Sequence, residues 1–105
     1  MAFKIVPLSK AVTAAGTRVA LSASNLYVLG LSIQAKKANT GKIYVGDVTV
    51  AAALGHELES GESIGFDAFA KPASLEEVNL ADVYIDSSVN GEGVNVTYVL
   101  RRANG

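Results

Sequence analysis

The sequence predicts an all-β fold, a small antiparallel β-sandwich or jelly-roll-like barrel of about eight short strands. Three observations lead there. Apolar residues fall at every second position from Val28 to Ala35, from Lys42 to Val45, from Ser63 to Phe69 and from Val94 to Leu100. That period buries one face of a strand and leaves the other outside. Clusters of Gly, Asn, Asp and Ser interrupt these runs at roughly 8–12-residue intervals. No amphipathic helix of useful length separates them, which argues against a parallel α/β sheet.

The elements follow in order. Phe3-Lys4-Ile5-Val6 is a short strand that Pro7 either stops or confines to a sheet edge, because proline cannot donate to a ladder. Ala11 to Gly16 reads as loop. Thr17 to Leu21 is a strand, and Ser22 to Asn25 carries turn chemistry. Val28 to Ala35 is the strongest strand, with Leu29, Leu31, Ile33 and Ala35 on one face and Gly30, Ser32, Gln34 and Lys36 on the other. Asn39-Thr40-Gly41 suggests a hairpin connection into a strand with Ile43 and Val45 inward and Tyr44 opposite. Gly46-Asp47 is a turn, followed by a short strand Val48-Thr49-Val50. Gly55 cuts off any helix begun by the alanines at 51–53. Glu59 to Glu62 is a turn, and Ser63 to Ala70 a strand with Ile64, Phe66 and Ala68 inward. Ser74 with Glu77 fits an N-cap opening one helical turn over Leu75–Leu80. Val83–Ile85 and Val94–Leu100 form the last pair, joined through Asn90-Gly91, the strongest hairpin signal present. Arg101 to Gly105 is a polar tail.

A chain of 105 residues fits a single domain, 1–105, able to bury one core without staples. With no cysteine, disulfides and thiolate metal sites are excluded. Charged residues are 18%, below the usual ~25%, so a partner is expected to cover part of the surface. A net charge of −1 supplies no field for a phosphate backbone, and no nucleic acid is expected. No apolar run approaches the roughly 20 residues of a membrane-spanning helix, and no membrane is expected. The start, Met1-Ala2-Phe3-Lys4, lacks the apolar core of a Sec signal peptide, so synthesis in a cytoplasm is expected.

The reactive side chains are few. His56 is the only histidine and reads as an ordinary loop residue; zinc would need two or three more His or Cys ligands. Glu57, Glu59 and Glu62 share one segment, and Asp82, Asp86 and Glu92 flank the last hairpin. Neither set has the ladder of a calcium loop, and both read as solvated charges. Sugar hydrolysis would also want aromatic platforms, and there is no Trp. The glycines open no phosphate-binding loop. Tyr27, Tyr44, Tyr84 and Tyr98 lie on or beside strands and suit a core rim or a contact surface. No enzyme, cofactor or metal is expected.

Three segments nevertheless form a pattern. Residues 32–46 contain Ile33-Gln34-Ala35 and Asn39-Thr40-Gly41. Residues 61–67 run Gly61-Glu62-Ser63-Ile64-Gly65-Phe66-Asp67. Residues 80–98 contain Val83-Tyr84-Ile85-Asp86 and Asn90-Gly91-Glu92-Gly93-Val94. In this order and spacing they resemble small virion proteins of tailed bacteriophages. The resemblance spans about Leu31 to Tyr98 and carries no catalytic residue. It implies a structural component of the particle: a capsid decoration (cement) protein, or else a neck, tail or fibre module, the latter with a capacity for host glycan. It implies the virion as location, and the major capsid protein or other virion proteins as partners. A decoration protein binds identical sites around symmetry axes, so a homo-oligomer, by preference a trimer, is expected. A cellular adaptor of the same fold is the third reading. The residues expected to grip the partner are Phe3, Ile5, Val6, Pro7 and Leu8, with residues 1–10 read either as an extended arm or as an edge strand.

Overall fold

The computed structural model describes residues 3–51, 54–67 and 78–101. In them the alternating runs become strands β1 (Phe3–Ala11), β2 (Val19–Ala20), β3 (Tyr27–Val28), β4 (Gly30–Ala35), β5 (Ile43–Gly46), β6 (His56–Leu58), β7 (Ser63–Asp67), β8 (Val78–Asn79), β9 (Tyr84–Ser87) and β10 (Gly93–Arg101). A 3-10 turn, Leu80–Asp82, lies between β8 and β9, with the Asn79 side chain accepting from Ala81 N–H at its start.

The strands form one sheet in the order β1-β10-β4-β7, a second in the order β2-β9-β5-β6, and a small ribbon of β3 with β8. We call the first two sheets A and B. All pairing is antiparallel. The pairs nest: β1 with β10, β2 with β9, β3 with β8, β4 with β7, β5 with β6. The chain is thus one long double ribbon with its tip between β5 and β6. Folding that ribbon over lays β10 beside β4 and β9 beside β5, which is the jelly-roll arrangement.

The core lies between the sheets. Sheet A contributes Leu31, Ile33, Ala35, Val94, Val96 and Tyr98; sheet B contributes Ile43, Val45, Leu58 and Ile85; Val12, Leu21, Val28 and Leu80 close the ends. Ile33 is fully buried and faces Val96 on one side and Ile64 on the other. The expected alternation holds through β4, β5 and β10, because a pleated strand with one wet face tolerates no other phase.

Several expectations give way to the topology. Asn39-Thr40-Gly41 does not turn a hairpin: β4 lies in sheet A and β5 in sheet B, so residues 36–42 cross between sheets. Asn90-Gly91 likewise joins β9 of sheet B to β10 of sheet A. In a folded-over ribbon most links must change sheets, so turn residues serve as corners. Val48-Thr49-Val50 is no strand. The Asp47 carboxylate accepts from Thr49 N–H at 2.8 Å and the Asp47 carbonyl from Val50 N–H at 2.9 Å, which holds the segment as a turn. The predicted strand from Val28 to Ala35 is broken by a bulge. Leu29 N–H donates to the Val99 carbonyl while Gly30 also sits opposite Val99. The extra residue shifts the phase, so Val28 enters the core with Leu31, and Leu29 is buried outside that cluster. His56 lies in β6 opposite Val45 rather than in a loop. The helical turn expected over Leu75–Leu80 falls largely outside the described residues; within them, 78–79 are β8. Ala68 also lies outside them.

Candidate functional site

Residues 3–11 form β1, paired with β10 along its whole length, from Phe3 opposite Arg101 to Ala11 opposite Gly93. Of the residues expected to grip a partner, Val6 and Leu8 turn inward and pack against the core. Ile5 and Pro7 face outward and are exposed, and Ile5 at 69% exposure is the barest large apolar side chain described. Val12 N–H donates to the Glu92 carbonyl, and alternation from that pair places Pro7 opposite Thr97 in a non-hydrogen-bonded position. Its missing N–H therefore faces away from β10, and the proline stays within an edge strand without costing a ladder bond.

The first and third of the patterned segments meet at one corner of the sandwich. The Glu92 carboxylate accepts from Thr40 N–H at 2.6 Å, Thr40 Oγ at 2.9 Å and Gly41 N–H at 2.9 Å. These bonds, the Thr40 N–H first, hold the Glu92 carboxyl below its ordinary range. Buried Asn39 donates through Nδ2 to the Gly93 carbonyl at 2.9 Å and accepts from Gly93 N–H at 3.4 Å. Lys42 N–H donates to Ser88 Oγ, and Ser88 N–H to the Lys42 carbonyl. The crossing at 36–42 and the crossing at 88–92 are thereby locked together. Gly41 is required by this closeness: a Cβ there would strike the Ser88 hydroxyl and approach Val89 Cγ2 to 2.7 Å. The β1–β2 link joins the same corner. Ala15 N–H donates to Asn90 Oδ1, Gly91 N–H to the Val12 carbonyl, and Gly16 N–H to Oδ1 of buried Asp86.

Beside this corner is an open depression of about 720 Å³ whose lining includes Thr40, Lys42, Tyr44, Glu59, Glu62 and Ser88. Several of its polar groups are engaged locally. Lys42 Nζ bonds Glu57 Oε1 at 3.0 Å, which raises the lysine pKa, and Glu59 N–H donates to the Glu62 carboxylate. The structure thus gathers Glu57, Glu59 and Glu62 near one end and disperses Asp82, Asp86 and Glu92. Among the described residues, no group of three or more His, Asp or Glu side chains is placed to hold a metal ion. Tyr98 is in the core, Tyr44 is buried on the face of sheet B away from it, and Tyr27 is exposed.

The outer face of sheet A is built differently. Its described outward side chains include Ile5 and Pro7 of β1, Thr97 and Val99 of β10 and Ser32 and Gln34 of β4, none of them charged; the charged residues in the same register phase are Asp67, opposite Gly30, and Arg101, opposite Phe3. A shallow hollow of about 300 Å³ opens among Ile5, Gly30, Ser32, Phe66, Thr97 and Val99. Sequence reading placed Ile5 and Pro7 here and missed the rest. Their signal was the wet side of β4 and β10, read at every second residue: Gly30, Ser32, Gln34 and Asn95, Thr97, Val99.

No protein-family model, curated protein or solved structure matches the chain.

Proposed function

We propose that the chain is a non-enzymatic structural protein of a tailed-bacteriophage virion, a capsid decoration protein that binds and stabilises the head shell. One observation carries this reading. Parts of two of the three segments on which the resemblance rests, Asn39-Thr40-Gly41 and Glu92-Gly93, are bonded into a single joint between the two sheets. These two motifs, far apart in sequence, therefore report one physical feature rather than separate scraps of turn grammar. The jelly roll adds support by analogy of architecture, since capsid domains are among its uses, although a fold by itself names no function. The mechanism is burial of a sparsely charged surface across neighbouring capsomers, with weak contacts multiplied by the symmetry of the shell.

The purified protein is expected to bind expanded heads of its phage and raise their melting temperature. Heads that melt identically with and without it refute cementing. The neck, tail or fibre reading predicts a few to a dozen copies per particle rather than hundreds, and copy number by quantitative mass spectrometry separates the two. A positive glycan screen would favour the fibre reading.

A further inference from the structure

We infer that Asn90-Gly91 is a deamidation site that the fold holds shut and that cannot reclose once converted to isoaspartate. The Gly91 nitrogen loses its proton to solvent base and bonds to Asn90 Cγ. The Cγ–Nδ2 bond breaks, and the amide nitrogen takes up a proton and leaves as ammonia. Water then opens the succinimide at one carbonyl or the other, giving aspartate or isoaspartate. A glycine after the asparagine favours the attack, since no Cβ hinders the approach. Among the described residues Asn90 alone has one; Asn25, Asn39, Asn79 and Asn95 precede Leu, Thr, Leu and Val. Asn90 and Gly91 are also exposed, so base and water reach them.

Both reacting groups are nevertheless engaged. Gly91 N–H donates to the Val12 carbonyl at 2.8 Å, so the nucleophile keeps its proton. Asn90 Oδ1 accepts from Ala15 N–H at 2.7 Å, which ties the carboxamide to the β1–β2 link. The first bond is the stronger guard. Val12 is fully buried, and its own N–H donates to the Glu92 carbonyl. Freeing the Gly91 nitrogen therefore means opening the end of the β1–β10 pairing against a residue anchored in the core. Isoaspartate routes the backbone through the side chain and lengthens the link to Gly91 by one methylene. That displaces Gly91 N–H from the Val12 carbonyl, so the corner stays open after the reaction. None of this depends on the chain decorating a shell.

Peptide mapping by mass spectrometry, with isoaspartate detection, follows the full chain in mildly alkaline buffer. Asn104-Gly105, outside the described residues, is read separately. Conversion at Asn90 is expected to be about tenfold or more slower in the native chain than in guanidinium chloride. Val12→Ala, which loosens the anchor, speeds it roughly tenfold, while Ile33→Val, a core truncation on β4, leaves it within about twofold. Ala15→Pro removes the second bond alone. Thr17 N–H closes on the Ala14 carbonyl with Gly16 at φ +88°, the pattern of a type II turn, which accepts proline at position 15. This variant should speed conversion less, about two- to threefold. Hydrogen exchange at the Gly91 amide, read by NMR, is expected to be slow in the parent, faster in Val12→Ala and unprotected in the separated isoaspartate form. Equal conversion in native and denatured chains, equal response to Val12→Ala and Ile33→Val, or a Gly91 amide still slow in the isoaspartate form overturns the inference.

Discussion

Asn39→Ala tests the corner joint most sharply. The side chain is 8% exposed and bridges two crossings through both of its polar atoms. Truncation removes the 2.9 Å bond to the Gly93 carbonyl, which keeps the Lys36 N–H at 3.1 Å. It also strips Gly93 N–H, buried in the same corner, of the Asn39 Oδ1 it faces. A lost bond costs about 1 kcal/mol and an orphaned buried donor about 1–2 more, so the sum is roughly 2–3 kcal/mol. Against a total stability of about 5–15 kcal/mol that is a large share. At about 4–8 °C per kcal/mol, the melting temperature should fall by on the order of 10–20 °C. Asn90→Ala is the control. That residue sits in the strongest turn dipeptide of the sequence, yet its bond to Ala15 N–H is exposed and water replaces it, at a cost under about 1 kcal/mol. Thermal melts followed by circular dichroism compare the two. If Asn39→Ala melts within about 2 °C of the parent, or Asn90→Ala falls as far, the joint does not hold the fold as argued.

Other outcomes follow from the same geometry. Glu92 has its folded-state pKa below the ordinary 4.5, so its stabilisation is present above that value and is lost as pH falls through the lowered one. Glu92→Gln should therefore melt lower than the parent at neutral pH, with the gap closing on acidification; a gap constant with pH would refute the linkage. Asp47 is depressed by the Thr49 hydroxyl and should preserve part of the acid slope in that variant. Ile33→Ala, at the centre of the core, should cost about 2–5 kcal/mol in urea titration. Gly93→Ala drives a Cβ against the Lys10 carbonyl and to 2.7 Å from Ala11 Cα, backbone that cannot swing away, and should yield insoluble protein in expression trials. Pro7→Val adds an outward N–H on an exposed edge, so light scattering should grow on incubation while the melting temperature barely moves. Lys42→Ala should leave melting essentially unmoved in physiological salt, because the pair with Glu57 is about half exposed.

Particular residues show why some of this was legible and some not. Ile33, Ile43, Val94 and Val96 announced their burial because the side-chain period of a strand is two and only one face of each sheet is dry. Asn39-Thr40-Gly41 and Asn90-Gly91 announced corners but were read as hairpins. Glycine and asparagine adapt to tight backbone whether the chain returns beside itself or climbs to the other sheet. Leu29 is buried as expected but outside the cluster that holds Leu31, because a bulge depends on the partner strand, here the Val99 carbonyl, which no local pattern encodes. The outer face of sheet A was written in β4 and β10, but those strands stand more than sixty residues apart in part of their pairing, such as Ser32 with Thr97, so the surface is invisible until they are adjacent.

Alternation and turn chemistry by themselves determined that the chain is all β, which residues face a core, and roughly where it bends. Tertiary structure alone decided which strand lies beside which. Periodicity specifies a face, not a neighbour; the neighbour is chosen when the nested ribbon folds over and β10 meets β4, burying both sheets' apolar sides at once. The same folding brings Glu92 onto Thr40 and Gly41, and sets Ile5 beside the hollow over Gly30.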